Sequence, residues 1–169
     1  MNHRFDDRGR YAWEFAHEYA VVCPRCRRRA TVFPDALSWR AKTARVTCTS
    51  CGYNADWNTV KYRSPVTWRT PQRSSALRPL LRQAVPADPF FKLPLWFVGE
   101  AKGGVFWAYN AAHLQFIKSY VGATLRIRRP QVNGSLASRL PAVLLDRRNR
   151  GAVLRAIYEL ERREHGPET

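Results

Sequence analysis

The chain has 169 residues, 45% of them hydrophobic and 12% aromatic, a composition that excludes an intrinsically disordered protein. Its formal net charge is +16, and self-repulsion of this size favours a polyanionic partner such as a nucleic acid. No apolar segment approaches the roughly 18 residues of a membrane span, and the first residues show no signal sequence. We therefore expect a cytoplasmic protein without a membrane partner.

Four short segments in the first third of the chain have the composition of strands. They are YAVV (19–22), ATVF (30–33), ARVT (44–47) and YNADW (53–57). Cys23 and Cys26 follow the first segment, and Cys48 and Cys51 follow the third. The 21 residues between the two cysteine pairs suffice for two strands and a loop. The pairs should therefore meet at one end of a hairpin.

The two CxxC pairs predict a bound metal ion. In a CxxC turn both thiolates can face one ion while backbone N–H groups point at the sulfurs and share their negative charge. Without a signal sequence, such pairs favour a metal site over disulfides. We expect one structural zinc ion, although iron also occupies four-thiolate sites. The alternative is two pairs of free or redox-active thiols.

The segments CPRC (23–26) and CTSCG (48–52), with the strand-like segments beside them, resemble the zinc ribbon at the start of transcription factor IIB. This resemblance covers roughly residues 18–57. It implies that the four zinc ligands are Cys23, Cys26, Cys48 and Cys51. The rest of the chain resembles uncharacterised bacterial zinc-ribbon proteins, a resemblance that implies no particular function.

Three consecutive arginines, Arg27, Arg28 and Arg29, directly follow the first cysteine pair. Strand alternation would put Arg27 and Arg29 on one face, with Arg45 on the neighbouring strand. We therefore expect a cluster of guanidinium groups, which bind phosphate through paired hydrogen bonds. The alternative is a charged face that only contacts solvent.

Residues 58–88 form a predicted connector that is basic and contains several prolines. Between Trp57 and Ala87 there is no aspartate or glutamate, and the prolines prevent a long helix. Cations alternate here with aromatic residues, as in grooves that bind single-stranded nucleic acids. The candidate contacts are Lys61, Tyr62, Arg63, Trp68, Arg69 and Arg73.

Residues 89–165 predict a hairpin followed by helices. Two aromatic-rich segments flank a Gly-Gly turn within residues 93–110. Asn110 should cap a helix that runs from about Ala111 to Arg126.

A last helix is predicted from Asn149, as its N-cap, to about Glu164, with an ion pair between Glu159 and Arg163. The predicted fold class is α+β. It comprises a four-cysteine zinc ribbon with a small antiparallel sheet (1–57), the connector, and a small domain of one β-hairpin packed on about three helices.

One group of residues could be catalytic. Asp88 followed by Glu100-Ala101-Lys102 resembles the magnesium-binding core of PD-(D/E)xK nucleases. Glu-x-Lys is common by chance, however, and Asp88 precedes a proline. No acidic residue occurs in the 43 positions after Lys102. We therefore expect no enzymatic activity, and the four histidines are expected to be packing or surface residues.

These observations favour a non-enzymatic, zinc-stabilised nucleic-acid-binding protein that is regulatory or an accessory subunit, with DNA slightly favoured over RNA. A protein-binding module with a basic face, such as an adaptor, antitoxin or immunity-type protein, is the alternative. A magnesium-dependent nuclease is the third possibility. No small-molecule substrate is indicated.

Overall fold

A computed structural model describes residues 4–6, 9–37, 40–59, 86–102, 104–127 and 140–165. The strands in these ranges are β1 (Arg4–Asp6), β2 (Tyr19–Val22), β3 (Arg29–Pro34), β4 (Thr43–Thr47), β5 (Asn54–Asn58), β6 (Phe97–Ala101), β7 (Gly104–Ala108) and β8 (Leu125–Ile127). The α-helices in the same ranges are α1 (Ala111–Gly122), α2 (Ala142–Leu145) and α3 (Arg150–His165). The α+β class expected from the sequence is confirmed.

Strands β2 to β5 form one antiparallel sheet in that order. Because side chains alternate along a strand, every second residue of each strand faces inward, and these are small, β-branched or aromatic. Val32 on β3 and Val46 on β4 lie opposite each other and are fully buried. Trp57 on β5 is also buried and lies opposite Ala44 on β4. The four strands expected here are confirmed, each within one residue of its predicted bounds.

The inner face of this sheet packs on residues that follow the connector. The Phe90 ring contacts those of Tyr19 and Trp57, with centroids 6.0 Å and 5.0 Å away. Strand β2 is joined to the same region through its backbone, since Trp96 N–H donates to the Ala20 carbonyl at 2.9 Å. The sheet that carries the cysteines therefore shares its core with the C-terminal half of the chain.

Strands β6 and β7 form the predicted hairpin, with Phe97 opposite Ala108 and Gly99 opposite Phe106. Gly99 is required by a close approach: a Cβ atom there would lie 2.3 Å from the Cζ atom of Phe106. The Phe106 ring fills that space and is fully buried in the second core, between the hairpin and the helices.

Helix α1 begins where the sequence predicts but ends earlier. The Asn110 side chain accepts from His113 N–H at 2.9 Å, so Asn110 is confirmed as the N-cap. The helix ends at Gly122, not near Arg126, because Ala123 is extended and the next residues form β8. Strand β8 pairs in parallel with β1, which the sequence analysis did not predict.

The last helix, α3, begins at Arg150 after a 3-10 turn over Arg147–Asn149. The side chain that caps this turn is Asp146, which accepts from Arg148 N–H. The predicted ion pair of Glu159 with Arg163 is wrong. Glu159 pairs with Arg162 instead, and the Arg163 guanidinium lies 3.8 Å from the centroid of the Trp96 ring.

Searched over the described ranges, the helices include none with both the length and the apolar character that a membrane crossing requires.

Candidate metal centre and the arginines beside it

The two CxxC turns have the same backbone structure. In the first turn (Cys23–Arg28, the first knuckle), Arg27 N–H donates to the Cys23 carbonyl at 3.0 Å and Cys23 N–H donates to the Arg28 carbonyl at 2.8 Å. In the second turn (Cys48–Tyr53, the second knuckle), Gly52 N–H donates to the Cys48 carbonyl at 2.9 Å and Cys48 N–H donates to the Tyr53 carbonyl at 2.8 Å. Each cysteine pair is therefore held by the same two hydrogen bonds.

Both knuckles also require a left-handed residue directly after the second cysteine. Gly52 has φ +71°, as its missing Cβ allows. Arg27 occupies the equivalent position with φ +64°. A side-chain-bearing residue in this conformation costs about 1–2 kcal/mol. The first knuckle therefore carries its arginine at the expense of backbone strain that the second knuckle avoids.

The four sulfur atoms have the spacing of a tetrahedral metal site. Cys23 Sγ lies 3.7 Å from Cys51 Sγ, and Cys26 Sγ lies 3.6 Å from Cys48 Sγ. All four sulfurs lie within 4.8 Å of one another, and none forms a disulfide. A tetrahedron with metal–sulfur bonds of about 2.3 Å has edges of about 3.8 Å. The site can therefore hold one metal ion with thiolate ligands from both knuckles.

The backbone stabilises negative charge on one of these sulfurs. Burial raises the pKa of Cys48, but the N–H groups of Cys51 and Ser50, with neighbouring thiols, outweigh burial and bring it to about 7. Hydrogen bonds from backbone N–H groups favour the thiolate, which is the form that binds metal. The N–H groups that the sequence analysis expected to point at sulfur are therefore present at the second knuckle.

The arginines that were expected to cluster do not share one strand face. Strand β3 begins only at Arg29, and Arg27 lies in the knuckle turn, so strand alternation does not apply to it. Arg29 instead forms an ion pair with Glu164 at the end of α3. Arg45 donates two hydrogen bonds to Asp56 on β5, of 2.7 Å and 3.3 Å. The expected strand alternation is therefore wrong for Arg27, and the register places Arg45 opposite Phe33 and not opposite Arg29.

A different group of arginines surrounds the first knuckle. Arg25, Arg27 and Arg28 are all exposed. None of the three forms an ion pair with another residue in the described part of the chain. The sequence analysis missed Arg25 because it lies between the two cysteines, where only the ligands were considered. Its position within the CxxC turn was the signal that could have identified it.

Of the two carboxylates considered for nuclease activity, Asp88 is buried and Glu100 is exposed. Asp88 is 1% exposed, and its oxygens accept hydrogen bonds from the N–H groups of Phe90, Phe91 and Leu93 at 2.7–2.8 Å. Burial raises the pKa of this carboxyl, and the three N–H groups offset part of the rise. Glu100 is exposed on β6. Asp88 therefore organises the turn that carries Phe90 into the core.

His113 is a packing residue, as expected. It is 2% exposed and stacks on Phe15 with ring centroids 5.0 Å apart. Its Nδ1 atom accepts from Tyr109 N–H at 3.2 Å, and burial lowers its pKa to about 4. In the described part of the chain, the cysteines are the one group of three or more metal-binding side chains that come together.

The predicted contacts in the connector, Lys61, Tyr62, Arg63, Trp68, Arg69 and Arg73, lie outside the described residues. Comparisons with protein-family models, with curated proteins and with solved structures gave no match to this chain.

Proposed function

We propose that the four cysteines bind one zinc ion and that residues 18–57 form a zinc ribbon. The sulfur spacing and the paired knuckles support this assignment. With all four positions filled by protein, the ion would be structural. Elemental analysis of purified protein should give one zinc per chain. One iron per chain, with the visible absorption of a ferric thiolate centre, would contradict the choice of metal.

We further propose that the protein is a non-enzymatic nucleic-acid-binding protein, with DNA slightly favoured over RNA. The observation that carries this proposal is the group of exposed, unpaired arginines at the first knuckle: Arg25, Arg27 and Arg28. Guanidinium binds phosphate through paired hydrogen bonds, and a turn anchored by a metal would fix the backbone from which the three arginine side chains extend.

Charge around the first knuckle is not needed for its backbone structure. The second knuckle makes the same two hydrogen bonds with Ser50, Gly52 and Tyr53 at the positions of the three arginines. Three adjacent cations repel one another, and the net charge of +16 adds to this cost. A polyanionic partner would remove the repulsion, which favours phosphate binding over a face that only contacts solvent.

Fluorescence anisotropy tests the proposal. Zinc-loaded protein is titrated into labelled single- and double-stranded DNA and RNA between about 50 and 300 mM salt. We expect binding that weakens log-linearly with salt, because condensed counterions are released when cations contact phosphates. Absence of binding to all four probes at the lowest salt would reject this function.

A protein-binding module remains the second candidate because of one observation. Tyr11 and Trp13 are 37% and 42% exposed and stack on each other, with ring centroids 5.6 Å apart. Exposed aromatic residues are enriched where proteins bind one another. Binding to a protein partner would depend weakly on salt and would lose affinity on Trp13→Ala. Nucleic-acid binding through the first knuckle would depend strongly on salt and would keep its affinity in that variant.

A further inference from the structure

The outward face of the four-stranded sheet has two rows of side chains across β3, β4 and β5. The strand register places Thr31, Thr47 and Asn54 in one row and Phe33, Arg45 and Asp56 in the next. We call these six residues the open face. Four of the six, those in the second row together with Asn54, are exposed, and the two threonines are half-buried.

The open face begins where the helical layer ends. On β2 the outward residues Ala20 and Val22 pack into the core beneath the helices. On β3 the outward residue Arg29 is held by Glu164 at the end of α3. Beyond Arg29, the next outward residues of β3 are Thr31 and Phe33, and Phe33 is 48% exposed. The helices therefore cover one side of this face and leave the other side accessible.

Phe33 is the one apolar side chain among the six residues of the open face, and its exposure to water is unfavourable. Its neighbours in both rows are polar, so an aromatic ring at this position is not part of an apolar core. An aromatic side chain on a polar sheet can stack on nucleobases, and such stacking tolerates any base because every base has a π-face. Arg45 lies directly opposite Phe33 in the strand register, and its guanidinium is hydrogen-bonded to Asp56.

Basic groups lie beyond both ends of the strands that carry this face. Arg25, Arg27 and Arg28 lie at the start of β3, and Arg40 and Lys42 lie in the loop before β4. All five are exposed, and their side chains form no ion pair in the described ranges. The one carboxylate at this end, Asp35, accepts hydrogen bonds from the N–H groups of Lys42 and Thr43. At about 3.3 Å per residue, Arg29 at the start of β3 and Phe33 are about 13 Å apart along the strand, and the first knuckle lies just beyond Arg29. Phosphates could thus be held on either side of a base stacked on Phe33.

We propose that the open face binds single-stranded nucleic acid, with one base stacked on Phe33 and the backbone held by the basic groups at the two ends. This inference rests on the proposed function and specifies its substrate class. In a duplex the faces of the bases are covered by their neighbours, so only an unpaired strand offers a base face to Phe33. The single acidic group on the open face, Asp56, is already neutralised by Arg45.

The test compares Phe33→Ala, Phe33→Trp and the control Tyr158→Ala by anisotropy with an unstructured labelled oligonucleotide. Tyr158 is 56% exposed on α3, so its removal deletes an exposed aromatic ring away from the sheet. We expect Phe33→Ala to lose roughly 5- to 150-fold in affinity, the range for one stacked base. Phe33→Trp should bind at least as well as wild type, and Tyr158→Ala should be unchanged.

A second measurement does not depend on substitutions. An oligonucleotide with 5-iodouracil is irradiated in complex with wild-type protein, and the crosslinked peptide is identified by mass spectrometry. Crosslinking at Phe33 supports the inference.

The inference is overturned if Phe33→Ala binds as tightly as wild type, if duplex binds as tightly as single strand, or if crosslinks fall elsewhere. In those cases salt-dependent binding through the first knuckle can still be present, so the proposed function survives. Absence of all binding overturns both.

Discussion

The first and second knuckles have the same backbone structure but carry different side chains. In each knuckle, the fourth residue after the first cysteine donates its backbone N–H to the carbonyl of that cysteine. This fourth residue has a left-handed backbone conformation in both knuckles. The second knuckle places Gly52 at that position and has no charged residue between Cys48 and Tyr53. The first places Arg27 there, with Arg25 and Arg28 beside it.

This difference separates what the metal site requires from what it does not. The shared features, two cysteines and two hydrogen bonds, are sufficient to shape a knuckle without any charge. The arginines of the first knuckle add strain and repulsion to that shape. Features that cost stability and are dispensable for folding indicate a role in binding. We therefore expect the two knuckles to be equal in structure and unequal in function.

The largest effect is expected from removing one ligand. Cys26→Ser and Cys51→Ser each leave three thiolates, so each should lose the metal and lower the unfolding temperature by a similar amount. The apparent binding free energy of structural zinc is about 10–16 kcal/mol, and several kcal/mol should be lost in either variant. Metal content and thermal unfolding measure this. If one variant keeps its metal while the other loses it, the knuckles are not equivalent.

Gly52→Ala tests the left-handed position at the second knuckle. Apart from Gly52 and its two chain neighbours, no atom lies within 4 Å of an added Cβ, so the cost is that of backbone conformation alone. We expect the metal-loaded protein to lose about 1 kcal/mol, the left-handed strain less the entropy that alanine removes from the unfolded chain. Chemical denaturation in the presence of excess metal measures it. Unchanged stability would show that the turn adjusts to another conformation.

Arg27→Gly tests the same position at the first knuckle and should act in the opposite direction. Relief of the strain should stabilise the metal-loaded protein by about 0.5–1 kcal/mol, the smallest effect of the set. The same variant should bind nucleic acid more weakly, because one phosphate contact is lost. Arg27→Lys keeps the charge and serves as the control. A variant that is both less stable and equally good at binding would contradict the comparison.

Much of the fold could be predicted because local patterns determine it. The strands around the cysteines, the hairpin and the Asn110 cap depend on alternation, turn residues and a side-chain acceptor close in sequence. The end of α1 could not be predicted, because the pairing of β8 with β1 joins residues more than a hundred positions apart. The same limit applies to Arg163, whose contact with Trp96 comes from another element.

In the candidate site too, features determined by nearby residues could be predicted, and features that depend on distant residues could not. The cysteines could be assigned as ligands from their spacing, since a CxxC turn is a local structure. Whether an arginine is free to bind a ligand depends on residues that are distant in sequence. Arg29 forms an ion pair with Glu164, and Arg45 forms one with Asp56. Arg25 and Arg28 form an ion pair with neither of these acids. Treating Arg27 as a strand residue was wrong because the left-handed turn extends one residue beyond the cysteine and delays the start of β3.

The most direct test of the central claim compares two triple variants with the same loss of charge. One replaces Arg25, Arg27 and Arg28 by alanine, and the other replaces the exposed arginines Arg148, Arg155 and Arg162. Anisotropy titrations over a salt series should show that the first variant loses about 10- to 100-fold in affinity and that its log–log salt slope falls by about 2, whereas the second stays close to wild type. Equal losses in both variants would show that net charge alone drives binding and would contradict the role assigned to the first knuckle.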